Sequence, residues 1–167
     1  PMGSRGVKEV STATHCTDHH ENKLVRWNPP PENTIKINVD GSFNPTTGTG
    51  ATGCVARDSM GRILAARSRW YNSVANALSV EALAYRDGVD LANTLNFQRV
   101  TVETDCHNLV QLWEARQHQR SEIMGILHQI QEIASQLLHC NLIFVRREDN
   151  FAAHLCAQHA SSENVCS

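Results

Sequence analysis

The chain has 167 residues, of which 41% are apolar, so it is long enough for one domain with a buried core. Its formal net charge of -2 argues against a protein that binds nucleic acid mainly through surplus positive charge. It contains no run of about 18 apolar residues, so we expect no transmembrane helix. We see no signal peptide, and the six cysteines include no CxxC pair. We therefore expect reduced thiols in an intracellular protein, either nuclear or cytoplasmic.

The N-terminal part of the chain lacks hydrophobic periodicity. Residues 1–4 resemble a cloning scar, and a run of three prolines stands at 29–31. Such a run favours an extended polyproline conformation and stops regular elements. We expect a mostly disordered tail at 1–33, a folded domain at 34–160 and a C-terminal tail at 161–167.

Three segments after the proline run have the pattern of antiparallel strands. Apolar and polar side chains alternate over residues 34–40, a period typical of a strand with one buried face. Turn-forming residues separate this segment from two further predicted strands at 51–57 and 62–70. Because the connections are short, we expect an antiparallel meander.

The rest of the domain alternates between helices and strands. A stripe of apolar residues predicts a helix at 79–93 capped by Ser79, and a strand follows at 99–104. Because a crossover helix joins parallel strands, we expect that strand to pair in parallel. The remaining predicted elements are a helix at 106–116, a helix at 121–139 capped by Ser121, a strand at 141–147 and a helix at 151–160 capped by Asn150.

This order of elements predicts an α/β fold with a mixed five-stranded sheet: three antiparallel strands, then two parallel ones, flanked by helices. Asp40 and Asp105 end two of the predicted strands, and Glu81 lies near the start of the first helix. Each acid alone is consistent with an exposed surface carboxylate. If the strands are neighbours, however, the three carboxylates converge, and converging negative charges favour a bound cation. Carboxylate oxygens suit Mg2+ or Mn2+, and paired ions of this kind catalyse phosphodiester hydrolysis.

An ordered set of motifs resembles the ribonuclease H fold, and more closely the RNase H-like domains of plant retroelement-type reverse transcriptase homologues. The motifs are VDGS at 39–42, a glycine-rich turn up to Gly50, SVEALA at 79–84, ETD at 103–105 and RREDNFAAHLCAQHA at 146–160. The resemblance implies hydrolysis of the RNA strand of an RNA–DNA hybrid with two divalent metal ions.

The resemblance assigns catalytic and metal-binding roles to four residues. It implies that Asp40, Glu81 and Asp105 hold the two Mg2+ or Mn2+ ions. The family's fourth acid follows an asparagine by four residues; here that asparagine is Asn150, and His154 occupies the acid's position. A neutral imidazole adds no negative charge and suits softer ions, so we expect the second ion to bind weakly or to be Mn2+. His154 is equally consistent with a structural histidine that takes no part in catalysis.

The partner implied by the resemblance is nucleic acid, and the chain is expected to be a monomer. The family's usual polar residues at the helix start are reduced to Asn76, and its basic helix-loop handle is absent, so we expect weak affinity for the hybrid. One alternative is a catalytically inactive RNase H-fold module that binds nucleic acid or a protein, and another is a nuclease acting on DNA or structured RNA. The residues expected to contact nucleic acid are Gly41, Ser42, Asn76, Asn150, Arg146 and Arg147, the last two on opposite faces of a strand.

Overall fold

The computed structural model describes residues 28–118 and 120–165, with side chains up to Ser162. Most of the expected N-terminal tail, residues 1–27, lies outside the described residues, as do the last two residues of the expected C-terminal tail. Five strands form one sheet in the order β3-β2-β1-β4-β5. The strands are β1 Ile35–Asn44, β2 Thr49–Arg57, β3 Ile63–Tyr71, β4 Arg99–Thr104 and β5 His139–Phe144.

The sheet is mixed, as predicted. β1, β2 and β3 pair antiparallel, whereas β4 pairs in parallel with β1 on one side and with β5 on the other. No helix in the described ranges is long and apolar enough to cross a membrane. The helices are α1 Ala77–Thr94, α2 His107–Glu114, α3 Met124–Ala134 and α4 Phe151–Val165, with a short 3-10 helix at Arg147–Asn150 before α4.

The helices α1 and α4 cover opposite faces of the sheet. The Sγ atom of Cys54 in β2 donates to the Ala84 carbonyl oxygen of α1 at 3.7 Å, so this side chain faces α1. The preceding residue, Gly53, faces the other way, since successive strand residues alternate. A Cβ atom at Gly53 would lie 2.3 Å from the Ala153 carbonyl oxygen of α4. Only glycine therefore lets α4 lie this close to the sheet.

The start of α1 differs from the sequence prediction. Asn76, and not Ser79, caps the helix: the Asn76 side-chain oxygen accepts a hydrogen bond from the Ser79 backbone N–H at 2.9 Å. The first strand differs as well. Asp40 lies in the interior of β1, because pairing with β2 continues to Asn44.

The boundaries of the later elements also differ from the sequence prediction. Ser121 does not cap α3, whose cap position is Ile123, and the helix ends at Ala134 instead of at residue 139. Asn150 is the last residue of the 3-10 helix, where its buried side chain bonds to the sheet. The last helix continues past its expected end at residue 160 to Val165. β5 begins two residues earlier than expected and ends at Phe144.

Candidate metal centre

Three carboxylates meet at the carboxyl end of β4. Oxygen atoms of Asp40, Glu81 and Asp105 all lie within 4.8 Å of one another. In the parallel pairing of β1 with β4, Asn38 is opposite Glu103. Two residues further along both strands, Asp40 is therefore level with Asp105, which directly follows the end of β4. The structure thus brings together the three acids that the sequence analysis selected.

Glu81 reaches this point because the first turns of α1 lie close to β1. A Cβ atom at Gly41 would be 2.9 Å from the backbone carbonyl of Val80, so no larger residue fits between the strand and the helix. The Gly41 backbone also contributes a hydrogen bond that favours the ionised form of Glu81. Gly41 therefore has a packing role that the sequence analysis did not anticipate.

The electrostatics of the cluster oppose three simultaneous negative charges. Burial raises the pKa of Glu81 well above its usual range, and the nearby charges of Asp40 and Asp105 add to this effect. Burial also raises the pKa of Asp40, although the hydrogen bond from His154 acts in the opposite direction. In addition, Glu81 Oε2 is buried and has no hydrogen-bond partner among the described residues. A divalent cation fits this donor set, because it would both neutralise the charges and coordinate the unsatisfied oxygen.

His154, in the first turn of α4, lies beside one member of the cluster. Its Nδ1 atom is 2.8 Å from Asp40 Oδ2. Since an ionised carboxylate can only accept hydrogen bonds, Nδ1 carries the hydrogen whenever Asp40 is charged. An imidazole that donates to Asp40 through Nδ1 orients this carboxylate and occupies one of its oxygens.

An open cleft of about 500 Å3 surrounds the cluster. Of the residues expected to contact nucleic acid, Gly41, Ser42 and Arg147 line it, and Arg147 is close enough to favour the ionised form of Glu81. Arg146 does not line the cleft. The two arginines do not lie on opposite faces of a strand as expected, because β5 ends at Phe144 and Arg147 begins the 3-10 helix.

Two of the expected contact residues have bonds within the protein instead. Asn76 caps α1, and its Nδ2 atom donates to Glu122 Oε1 at 2.7 Å. Asn150 is buried, and its Nδ2 atom donates to the Val39 carbonyl oxygen at 2.8 Å and to Asp105 Oδ1 at 3.4 Å. The structure therefore gives both asparagines architectural roles.

The cleft also contains side chains that sequence reasoning missed. Their closeness in sequence to the predicted site residues could have identified them. Cys106 directly follows Asp105, and Asn108 lies in the first turn of the helix that begins at His107. Phe43 and Leu78 are near neighbours of the VDGS and SVEALA motifs. The missed residues are Phe43, Ala77, Leu78, Cys106 and Asn108.

The spacing of these residues along the chain agrees with a known family. A family model described as reverse transcriptase-like matches residues 38–160, a range that contains all three acids and His154. The chain belongs to the reverse transcriptase-like family. A search of curated protein sequences gives no significant match.

Solved structures confirm that this reverse transcriptase-like chain has the RNase H-like fold. The N-terminal RNase H domain of Rv2228c from Mycobacterium tuberculosis matches with a TM-score of 0.70 at 22% identity, covering 80% of this chain and 99% of that chain. RNase H1 from Halobacterium salinarum matches with a TM-score of 0.71 at 17% identity, covering 78% and 98%. LC11-RNase H1 in complex with an RNA/DNA hybrid matches with a TM-score of 0.70 at 17% identity, covering 78% and 99%.

Proposed function

We propose that this protein is a metal-dependent endoribonuclease that cleaves the RNA strand of RNA–DNA hybrids. The observation that carries the proposal is the group of three carboxylates within 4.8 Å of one another in an open cleft. The choice of substrate is supported by the similar fold of LC11-RNase H1, whose structure contains an RNA/DNA hybrid.

Asp40, Glu81 and Asp105 would hold two divalent ions, Mg2+ or Mn2+. When bound, such ions supply an activated water as nucleophile and stabilise the charge on the leaving 3'-oxygen. The raised pKa values of Asp40 and Glu81 mean that protons compete with the cation for the carboxylates. Metal affinity should therefore increase with pH across the range in which these two groups lose their protons.

His154 distinguishes this site from one with four acids. It adds no negative charge while neutral, and its hydrogen bond engages Asp40 Oδ2, an oxygen that could otherwise bind metal. Both effects weaken the affinity for a hard cation. With Nδ1 engaged by Asp40, only Nε2 of His154 could donate a lone pair to an ion, and such a borderline nitrogen donor would favour Mn2+ over Mg2+.

Arg147 is the positively charged residue best placed to bind the substrate. It lines the cleft beside the acids, where a guanidinium group can form two parallel hydrogen bonds to a phosphate. Ser42 offers a hydroxyl group in the same cleft, able to bind a phosphate or ribose oxygen. The two residues would hold the backbone of the cleaved strand against the acidic cluster.

The test is a cleavage assay on a labelled RNA–DNA hybrid, with Mg2+ and with Mn2+ in separate reactions. We expect metal-dependent cleavage that Asp40→Asn abolishes while the variant stays folded. The matched control is Asp149→Asn, because Asp149 is a nearby acid outside the carboxylate group and should be dispensable. Single-stranded RNA and duplex DNA, run in parallel, test the substrate class.

Two outcomes would contradict the proposal. Cleavage that survives in Asp40→Asn would mean that the assigned cluster does not perform the reaction. Absence of cleavage with either metal, in a folded wild-type protein, would favour a binding module that has kept the fold and lost the activity.

A further inference from the structure

A buried polar network lies directly below the carboxylate cluster, between β1 and β4. Lys36 Nζ is 2.7 Å from Glu103 Oε1, and both side chains are less than a tenth exposed. Asn38 Nδ2 donates to Glu103 Oε2 at 2.9 Å and to Asn150 Oδ1 at 3.1 Å. The side-chain oxygen Oδ1 of Asn38 accepts from Arg57 Nη1 at 3.3 Å, which fixes the orientation of this side-chain amide.

The network continues from Asn150 into the candidate metal centre. Asn150 Nδ2 donates to the Val39 carbonyl oxygen at 2.8 Å and to Asp105 Oδ1 at 3.4 Å. Asn150 also ends the 3-10 helix that leads directly into α4, where His154 contacts Asp40. A displacement of Asn150 would thus change the position of the Asp105 carboxylate and of the start of α4.

Fold stability alone gives little reason to bury these charges. Removing a lysine and a glutamate from water is costly, and apolar side chains of similar volume are often as stable or more stable. The hydrogen bond from the Asn38 side-chain amide to Glu103, in contrast, gives that amide one defined orientation, because hydrogen bonds are directional. An apolar contact would not impose this orientation. Asp105 needs such support, because it follows the last residue of β4 and belongs to no strand.

We propose that Asn38 and the Lys36–Glu103 ion pair are positioning residues for the metal centre, acting through Asn150 on Asp105 and on the start of α4. The inference rests on the proposed metal-dependent function and deepens it. Partners that orient metal ligands in this way change metal affinity by about 10- to 100-fold when removed.

The test replaces both charges together, since removing one would leave the other buried without this ion pair. We expect the Lys36→Met/Glu103→Met variant to unfold at a temperature close to that of the wild type. Its Kd for Mn2+, measured by calorimetry without substrate, should rise about tenfold. The matched control is Arg67→Met/Asp90→Met, which removes an ion pair of 2.6 Å that joins β3 to α1 and should leave this Kd unchanged.

A second variant keeps the test decisive if the double variant does not fold. Asn38→Ser leaves the ion pair in place but cannot span the distance to Asn150, and we expect the same loss of Mn2+ affinity. Either folded variant with the wild-type Kd would overturn the proposal, as would an equal loss in the control pair.

A metal-free measurement separates this proposal from the proposed function. The amide NMR signals of Asp105 and His154 should shift in both Asn38→Ser and the double variant but not in the control pair. If wild-type protein bound no Mn2+, the metal site of the proposed function would be refuted. The NMR comparison would then decide the positioning role: unchanged signals would overturn it.

Discussion

Replacing Glu81 with glutamine should make the metal-free protein more stable. Glutamine has nearly the same shape, removes one of three clustered charges and can donate from its amide to Asp40 or Asp105. For two carboxylates 4.8 Å apart, Coulomb's law with an effective dielectric constant of about 20 gives a repulsion of roughly 3.5 kcal/mol.

Protonation sets an upper limit to this cost. Glu81 can avoid the repulsion by binding a proton. Keeping its carboxyl group protonated costs about 1.36 kcal/mol for each pH unit above its ordinary pKa of 4.5. At pH 7 that limit is roughly 3.4 kcal/mol, so we expect Glu81→Gln to raise the free energy of unfolding by about 2 to 3 kcal/mol.

The pH dependence has a definite sign. Because the pKa of Glu81 is raised in the folded state, its cost to stability is absent below about pH 4.5. The cost grows as pH rises through that value and levels off above the folded pKa. The advantage of Glu81→Gln should therefore vanish at pH 4 and be largest at neutral pH.

The measurement is chemical denaturation in EDTA between pH 4 and pH 7, with Glu132→Gln, an exposed glutamate of α3, as the control. Mn2+ should then stabilise the wild type, by about 2.7 kcal/mol at 100 times its Kd, and should stabilise Glu81→Gln much less. If Glu81→Gln were no more stable than the wild type at pH 7 in EDTA, the electrostatic reasoning about this cluster would be wrong.

Two further predictions concern the cleft. His154→Asp should increase Mg2+-dependent cleavage roughly tenfold and reduce the preference for Mn2+, because it restores a charged oxygen ligand. An unchanged ratio of the Mn2+ rate to the Mg2+ rate would show that His154 does not set the metal preference. Arg147→Gln, in the Asp40→Asn background, should weaken hybrid binding and reduce the slope of log Kd against log salt by about 1, as measured by fluorescence anisotropy. Arg146→Gln is its matched control, and equal effects from both arginines would argue against a specific phosphate contact in the cleft.

The sequence was sufficient for the fold and for the three acids because both leave local patterns. Alternation with a period of two identified the strands, and the apolar stripe before residue 93 identified α1. The acids Asp40, Glu81 and Asp105 stand in short motifs whose order along the chain carried the resemblance. Their convergence stayed conditional on the two strands being neighbours. The crossover helix predicted a parallel pairing for β4, and the structure shows that the partner is β1.

Only the tertiary structure decided which polar side chains serve the site and which serve the fold. Asn76 and Ser79 are both good capping residues, and in the structure Asn76 caps α1 because the helix begins at Ala77. Asn38 and Glu103 read as ordinary strand residues, yet they meet across 65 positions of sequence and connect to Asn150. Contacts of this kind depend on strand register and helix packing, which local patterns do not specify, so the sequence located the acids while the tertiary fold determined what surrounds them.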